Sequence, residues 1–357
     1  METETGLSLY TDQRRITEII KHNMQVSAGK LKGKLKFNHA FIDLEGRCNF
    51  ACEGCFKGRN KVDRRKKVGK LTFEEVKKIV GFAKGRGAKV IVFAGEGETT
   101  MDADFRRILR HISSQGLYSV VFTNGTLINN EFAHFIFQHQ ASLILKRLAV
   151  DNHRQDQLLG TPGGSKMMGR GLEILLKVKR EREAKGLPVS QIAIDCYIIK
   201  QNIDQVADVL RWCRRKKLIP YFESCILSQD PVDNQKHCPS QGQLNGLFEK
   251  LAEVDLEEFG VPTILWPGSR IYGQEGPCFK PRSGFAVQTD GRVTECVSGE
   301  YTFGNLRKTT LDKIFDLKRP RIRQFYSAAI CPAPRCSLVY TGYRTLNSCQ
   351  HSGVDIR

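Results

Sequence analysis

No apolar run in this 357-residue chain approaches the roughly 20 residues that a membrane-spanning helix needs, so no membrane partner is expected. The N-terminus, Met1-Glu2-Thr3-Glu4-Thr5, has neither a basic nor an apolar region, so no secretory signal is visible and the cytoplasm is the expected location. No repeat of solenoid period and no low-complexity tract stands out. Acidic residues are the scarce charge: 38 Asp and Glu stand against 56 Lys and Arg, leaving +18. That excess suits acidic or phosphorylated partners, nucleic acid among them, and equally suits plain solubility. The rest is ordinary for a soluble globular protein, with 40% hydrophobic and 26% charged residues, so a proper core is expected. The length fits one large α/β domain plus an appendage.

What is plentiful is cysteine, with 12 residues. In a cytosolic chain, clustered cysteines read as metal ligands before disulfides. Cys48, Cys52 and Cys55 are packed together, and Cys278, Cys296, Cys331, Cys336 and Cys349 lie near the C-terminus. Cys196, inside an apolar strand, and Cys213, on an amphipathic helix, read as core fillers. Cys225 and Cys238 fit neither group.

Residues 8–26 read as a helix, and the basic, Gly-containing stretch 29–36 as a linker or exposed arm. From about residue 38 strands and helices alternate. Strands are expected at 40–44, 89–93, 118–122, 143–150, 192–199 and around 220–222. Helices are expected after Thr72, which with Glu75 makes a capping box, and at about 104–112, 130–138, 166–184 and 204–215. This alternation means a parallel sheet covered by helices and closed or partly closed into a barrel, with its site at the C-terminal ends of the strands. After about residue 258 the texture changes to Gly/Pro-rich segments and a hairpin around Asp290-Gly291. Such a small loop-rich unit gains from a metal staple. The expected division is therefore 1–37, an N-terminal helix and basic linker; 38–258, the core; and 259–357, a small metal-bearing domain.

Cys48-Asn49-Phe50-Ala51-Cys52-Glu53-Gly54-Cys55-Phe56 has the spacing C-x3-C-x2-C directly after the first strand. Three thiolates close in sequence wrap one face of a soft metal centre, and three ligands on a four-iron cluster leave one iron open to bind a substrate. A structural zinc site wants four ligands, and only the C-terminal group could supply the fourth in space. The spacing, with the aromatic Phe56 after the third cysteine, resembles the signature of the radical S-adenosylmethionine (SAM) superfamily. The resemblance implies a partial (β/α)6 barrel in which Cys48, Cys52 and Cys55 hold a [4Fe–4S] cluster whose open iron chelates SAM. One electron then cleaves SAM to methionine and a 5′-deoxyadenosyl radical, which abstracts hydrogen from the substrate.

The other strand ends carry further resemblances. Gly95-Glu96-Gly97-Glu98 is similar to the family's Gly-Gly-Glu-Pro stretch, with Glu98 the best match and Thr99 where Pro is usual. Thr123-Asn124-Gly125-Thr126 resembles a family turn, Asp151 resembles an Asp ending the fourth strand, and Asn202 matches a family Asn after the fifth. By resemblance Phe56, Gly95, Gly97, Glu98, Asn124, Asp151 and Asn202 are the cofactor-binding candidates. Each also has a plain reading as a turn or loop residue.

Cys278 and Cys296 flank the hairpin and Cys331-Pro332-Ala333-Pro334-Arg335-Cys336 follows, which resembles the SPASM/Twitch extension of radical SAM enzymes. It implies an auxiliary [4Fe–4S] cluster on Cys278, Cys296, Cys331 and Cys336, with Cys349 as a spare; a zinc knot is the alternative. Relatives with this extension include peptide maturases, sulfatase-maturing enzymes and aminocyclitol dehydrogenases. Only 47 residues precede Cys48, which leaves no room for a leader-binding domain and favours a small-molecule or partner-delivered substrate. The expected function is thus an oxidation or maturation on a small-molecule or peptide substrate, with a low-potential donor such as flavodoxin or ferredoxin supplying electrons. The basic stretch 57–70 would attract a phosphorylated or nucleic-acid substrate, or is a solvated loop. Two alternatives stay open: a zinc-stabilised basic nucleic-acid-binding protein, and a radical SAM enzyme modifying RNA.

Overall fold

A computed structural model of the chain describes residues 4–55, 70–95, 97–224, 236–261, 280–297 and 301–327. Among them, nine strands form one sheet in the order β6-β5-β4-β3-β2-β1-β7-β8-β9. The first six are β1 (His39–Ile42), β2 (Val90–Phe93), β3 (Tyr118–Thr123), β4 (Ala141–Lys146), β5 (Ile192–Ile198) and β6 (Ile219–Ser224). All six run parallel, in sequence order. A parallel neighbour requires a crossover, and helices supply it. They are α3 (Phe73–Gly85), α4 (Phe105–Ser114), α5 (Asn130–Gln138), α6 (Asn152–Leu159), α7 (Gly164–Ala184) and α8 (Val206–Arg215); α9 (Gln241–Glu253) follows β6. The capping box expected at Thr72 and Glu75 opens α3, with both reciprocal bonds present.

The sheet curls. Phe122 of β3 meets Tyr221 of β6 with ring centroids 5.6 Å apart, although two strands lie between them in the ladder. The contact therefore crosses a lumen, and the six strands make the partial (β/α)6 barrel expected of them.

The N-terminal segment differs in detail from a single helix over 8–26. It forms α1 (Gly6–Thr11) and α2 (Gln13–Ser27), broken at Asp12, whose side chain accepts from the backbone N–H groups of Arg14 and Arg15. Helix α1 closes the barrel floor. The backbone N–H of Leu7 donates to Ser142 Oγ at 3.2 Å, Thr5 Oγ1 donates to Gln191 Oε1 at 2.5 Å, and the Tyr10 ring packs edge-on against His39 and Phe41. Gly6 lies so close to the Ser119 carbonyl that a Cβ there would stand 2.6 Å from its oxygen. The basic stretch 29–36 has no regular structure, but it is tethered: Leu35 is buried, and Asn23 bonds the backbone of Lys36 from both sides of its amide.

The hairpin comprises β7 (Gly284–Val287) and β8 (Arg292–Thr294), with β9 (Thr302–Asn305) beyond. Asp290-Gly291 is its turn, and Gly291 takes φ +81°, a conformation that favours glycine. Strand β7 lies parallel to β1, with His39 opposite Gly284, so the sheet runs unbroken from barrel to hairpin. Phe37, Phe82, Phe285 and Phe315 pack behind this seam, with Phe37 5.0 Å from Phe285 and Phe82 5.7 Å from it. Arg307, after β9, reaches back to Glu75 of α3 at 2.7 Å. Among the described residues, no helix is long and apolar enough to cross a membrane.

Candidate active site

Five residues of irregular chain lead from β1 to Cys48, and the cysteine turn then folds over the C-terminal ends of β3 to β5. Ala51 and Glu53 donate backbone N–H bonds to the carbonyls of Leu159 and Leu158, at 3.1 and 2.8 Å, which lay the turn on the end of α6. Phe50 is buried with Leu159 and Met168 beside Cys48 and Cys52. Gly54 takes φ +63°, and a Cβ there would stand 2.8 Å from Ile199 and 3.5 Å from the Tyr197 ring, so the segment between Cys52 and Cys55 rests on the end of β5.

Cys48, Cys52 and Cys55 are free, half-buried thiols. Burial pushes the Cys48 thiol up to about 11 and Cys52 up to about 12. By themselves these groups stay protonated at neutral pH; a cationic metal centre supplies the charge that would hold them as thiolates. The donor set, three soft sulfurs on one loop, fits an iron–sulfur centre. Among the described residues, no three metal-ligating side chains stand together as a single-ion site. Cys48, Cys52 and Cys55 would each hold a different iron of a four-iron cluster, so the three sulfurs need not converge on one ion.

The loop after β2 packs directly against the loop before the cysteines. A Cβ on Gly97 would collide with the carbonyls of Glu45 and Arg47, and one on Gly95 would collide with the Asp43 carboxylate. This closeness lets Glu98 donate its backbone N–H to the Arg47 carbonyl at 2.8 Å. The Glu98 side chain is 3% exposed. Its Oε1 accepts from Thr100 N, Thr100 Oγ1 and Thr123 Oγ1, and its Oε2 accepts from Asn124 N at 2.7 Å. Burial pushes the carboxyl up while these four donors oppose it. Glu98 is therefore a clamp between the ends of β2 and β3, with Oε2 keeping capacity for one more donor.

Asn124 continues the clamp. Its Nδ2 donates to Asn49 Oδ1 at 2.7 Å, Asn49 Nδ2 donates to Thr126 Oγ1 at 2.8 Å, and Asn124 Oδ1 accepts from the backbone and hydroxyl of Thr126. Cys48 is thus tied through its neighbour Asn49 to the turn after β3.

Two other candidates lie elsewhere. Asp151 is exposed and caps α6, accepting from Arg154 N at 2.7 Å. Asn202 is wholly buried: it accepts from Ile199 N at 2.8 Å and donates to the carbonyls of Tyr197 and Leu148, bracing the ends of β4 and β5 from beneath. Cys296 is half-buried just past β8, within 3.6 Å of Glu295 Oε1. Phe56, Cys278, Cys331, Cys336 and Cys349 lie outside the described residues, as do Cys225 and 57–69 of the basic stretch.

Sequence reasoning missed Lys146. It ends the otherwise apolar strand β4, half-buried, with Nζ 3.0 Å from Asp195 Oδ2 on β5 and 5.5 Å from the Tyr197 ring centroid. Burial opposes its charge, yet Asp195 and the nearby Cys52 and Cys55 hold its pKa above the ordinary lysine value. The signal was a lone Lys directly after the apolar run Leu143-Ile144-Leu145; the strand expected over 143–150 ends at this residue instead.

Comparison with known proteins agrees with this geometry. Residues 45–151 match the Radical SAM superfamily, and residues 278–337 match SPASM, an iron–sulfur cluster-binding domain. The chain is 24% identical over 306 residues to a tungsten-containing aldehyde ferredoxin oxidoreductase cofactor-modifying protein of Pyrococcus furiosus, covering 79% of this chain and 81% of that one. It is 23% identical over 304 residues to a cysteine-type anaerobic sulfatase-maturating enzyme of Clostridium perfringens, covering 76% and 78%. Among solved structures, native anSMEcpe with bound AdoMet matches with TM-score 0.61 at 18% identity, over 87% of this chain and 98% of that one. Streptococcus suis SuiB bound to precursor peptide SuiA matches with TM-score 0.60 at 14% identity, over 88% and 70%. These matches favour neither nucleic-acid-binding alternative. Residues 45–151 therefore group with the radical SAM superfamily and residues 278–337 with the SPASM iron–sulfur domains, and the protein is an iron–sulfur enzyme that works with SAM.

Proposed function

We propose that Cys48, Cys52 and Cys55 hold the SAM-binding [4Fe–4S] cluster, and that the enzyme modifies a peptide segment by hydrogen abstraction. The observation that carries the assignment is the placement of three free thiols on one turn at the C-terminal ends of parallel strands, where such barrels keep their chemistry. When bound, the cluster supplies the electron that splits SAM into methionine and the 5′-deoxyadenosyl radical. Phe50, Leu159 and Met168 exclude water from the Cys48 and Cys52 side. Gly95 and Gly97 allow the close approach of the two loops, and the Glu98–Asn124–Asn49 chain holds the cysteine turn in place. Of the cofactor-binding candidates, the backbones of Gly95 and Gly97, the free capacity of Glu98 Oε2 and Asn124 would face SAM.

Cys278, Cys296, Cys331 and Cys336 are proposed as the auxiliary-cluster ligands, with 38–258 as the core and 259–357 as the auxiliary domain. The peptide reading rests on relatives: a sulfatase-maturating enzyme and SuiB with its precursor peptide. A flavodoxin- or ferredoxin-type donor, itself acidic, would suit a chain of net charge +18, and the cytoplasm is the proposed place of work. To test the assignment, SAM is added to the dithionite-reduced protein under EPR. The expected result is a shifted cluster signal that is absent from the Cys48→Ala/Cys52→Ala/Cys55→Ala variant. A SAM-responsive signal that survives in that variant would refute it.

A further inference from the structure

We propose that Lys146 is a fixed positive charge that sets the reduction potential of the SAM-binding cluster, with Asp195 as the residue that positions it. This inference rests on the assignment of Cys48, Cys52 and Cys55 as ligands.

Lys146 follows the buried run Ala141 to Leu145, and its side chain, 32% exposed, turns to Asp195 and Tyr197 on the neighbouring strand, where its charge is partly shielded from water. Asp195 stands directly opposite it in the β4–β5 ladder and is 6% exposed in its side chain. The pair is therefore built into the sheet rather than formed by two long side chains meeting at a surface. Tyr197, two residues on, shares the face of Asp195. Its ring centroid lies 5.5 Å from the Lys146 ammonium, and a Cβ on Gly54, in the turn between Cys52 and Cys55, would stand 3.5 Å from the same ring. Ammonium, ring and thiol-bearing turn thus stand close together at the ends of β4 and β5. Adding an electron to a thiolate-ligated cluster increases its negative charge, so a nearby cation favours the reduced state and raises the potential. Asp195 does two things: it offsets part of that charge, and it fixes the flexible side chain in place.

The two partners therefore have opposite effects. Holoprotein reconstituted anaerobically is titrated by EPR without SAM, following the signal that SAM later perturbs. At a fixed solution potential, Lys146→Gln is expected to lower the ratio of reduced to oxidised cluster about tenfold, a shift of about 59 mV for one electron. Lys146→Arg keeps the charge and is expected to leave the ratio near wild type, while Asp195→Asn raises it. A structural role alone would not move the two partners in opposite directions. The proposal is overturned if Lys146→Gln, with its iron intact, titrates like wild type, or if Asp195→Asn moves in the same direction as Lys146→Gln. Should Lys146→Gln fail to retain iron, Asp195→Asn decides: an upward shift upholds the proposal and an unmoved or downward one overturns it. Failure of the ligand assignment looks different, because the SAM-perturbed signal would then persist in the triple cysteine variant.

Discussion

At the start of the barrel strands, α1 closes the lumen with Leu7 and Tyr10 and with hydrogen bonds from Thr5 and Leu7 to Gln191 and Ser142. At the other end of the same strands, the closing material among the described residues is loop rather than helix. It is held by Glu98, Asn124 and Asn49, which fasten one another and the cysteine turn. The floor adds burial of Leu7 and Tyr10, which is non-directional, to its two hydrogen bonds and the close approach of Gly6. The mouth depends on a connected chain of directional bonds and on close backbone approach at Gly95 and Gly97. The difference teaches that the floor bears on stability alone and the mouth on chemistry as well, and substitutions at each end can separate the two.

The largest effect is expected at Gly97. Its added Cβ would collide with two backbone carbonyls that cannot swing aside, so Gly97→Ala should displace the cysteine loop. SAM cleavage, measured as 5′-deoxyadenosine formed per iron, is expected to fall about 100-fold. Next comes Glu98→Gln, which turns an acceptor of four bonds into a group that must present an amide N–H to some of them. Stability should drop by about 3 kcal/mol in denaturant unfolding, with lowered iron uptake. Leu7→Ala sharpens the comparison from the floor. It should cost about 2–4 kcal/mol, yet SAM cleavage per folded molecule should match wild type. A floor variant that lost SAM cleavage without unfolding would break the distinction. The smallest effect belongs to Arg307→Ala, which removes a half-exposed pair with Glu75 and should change stability by only about 0.5–1 kcal/mol.

Much of the fold was legible because it is written locally. The six strands fall where apolar β-rich runs occur, Thr72 and Glu75 cap α3, and Asp290-Gly291 turns the hairpin. The short α6 was not, since its mean character is polar and Asp151 reads as readily as a loop residue. That β7 pairs with β1 was not legible either, because strand partnership between residues so distant in sequence leaves no local mark. At the site, the cysteine spacing is a local pattern and could be read. What Glu98 and Asn202 bond, and that Lys146 stands beside the cysteine turn, depends on which strand ends meet in space. A match to a sequence motif names a position; it does not say whether the side chain there is open to a ligand or already engaged with its neighbours, as Asn202 is.

The central claim is that the cysteine turn at the mouth carries the reactive cluster. Iron, sulfide and zinc are measured after anaerobic reconstitution of wild type and of the Cys48→Ala/Cys52→Ala/Cys55→Ala variant, with dithionite-driven 5′-deoxyadenosine formation as the readout. The account predicts that the variant holds about four fewer irons and forms no 5′-deoxyadenosine. Zinc in place of iron in the wild type, or undiminished 5′-deoxyadenosine in the variant, would contradict it.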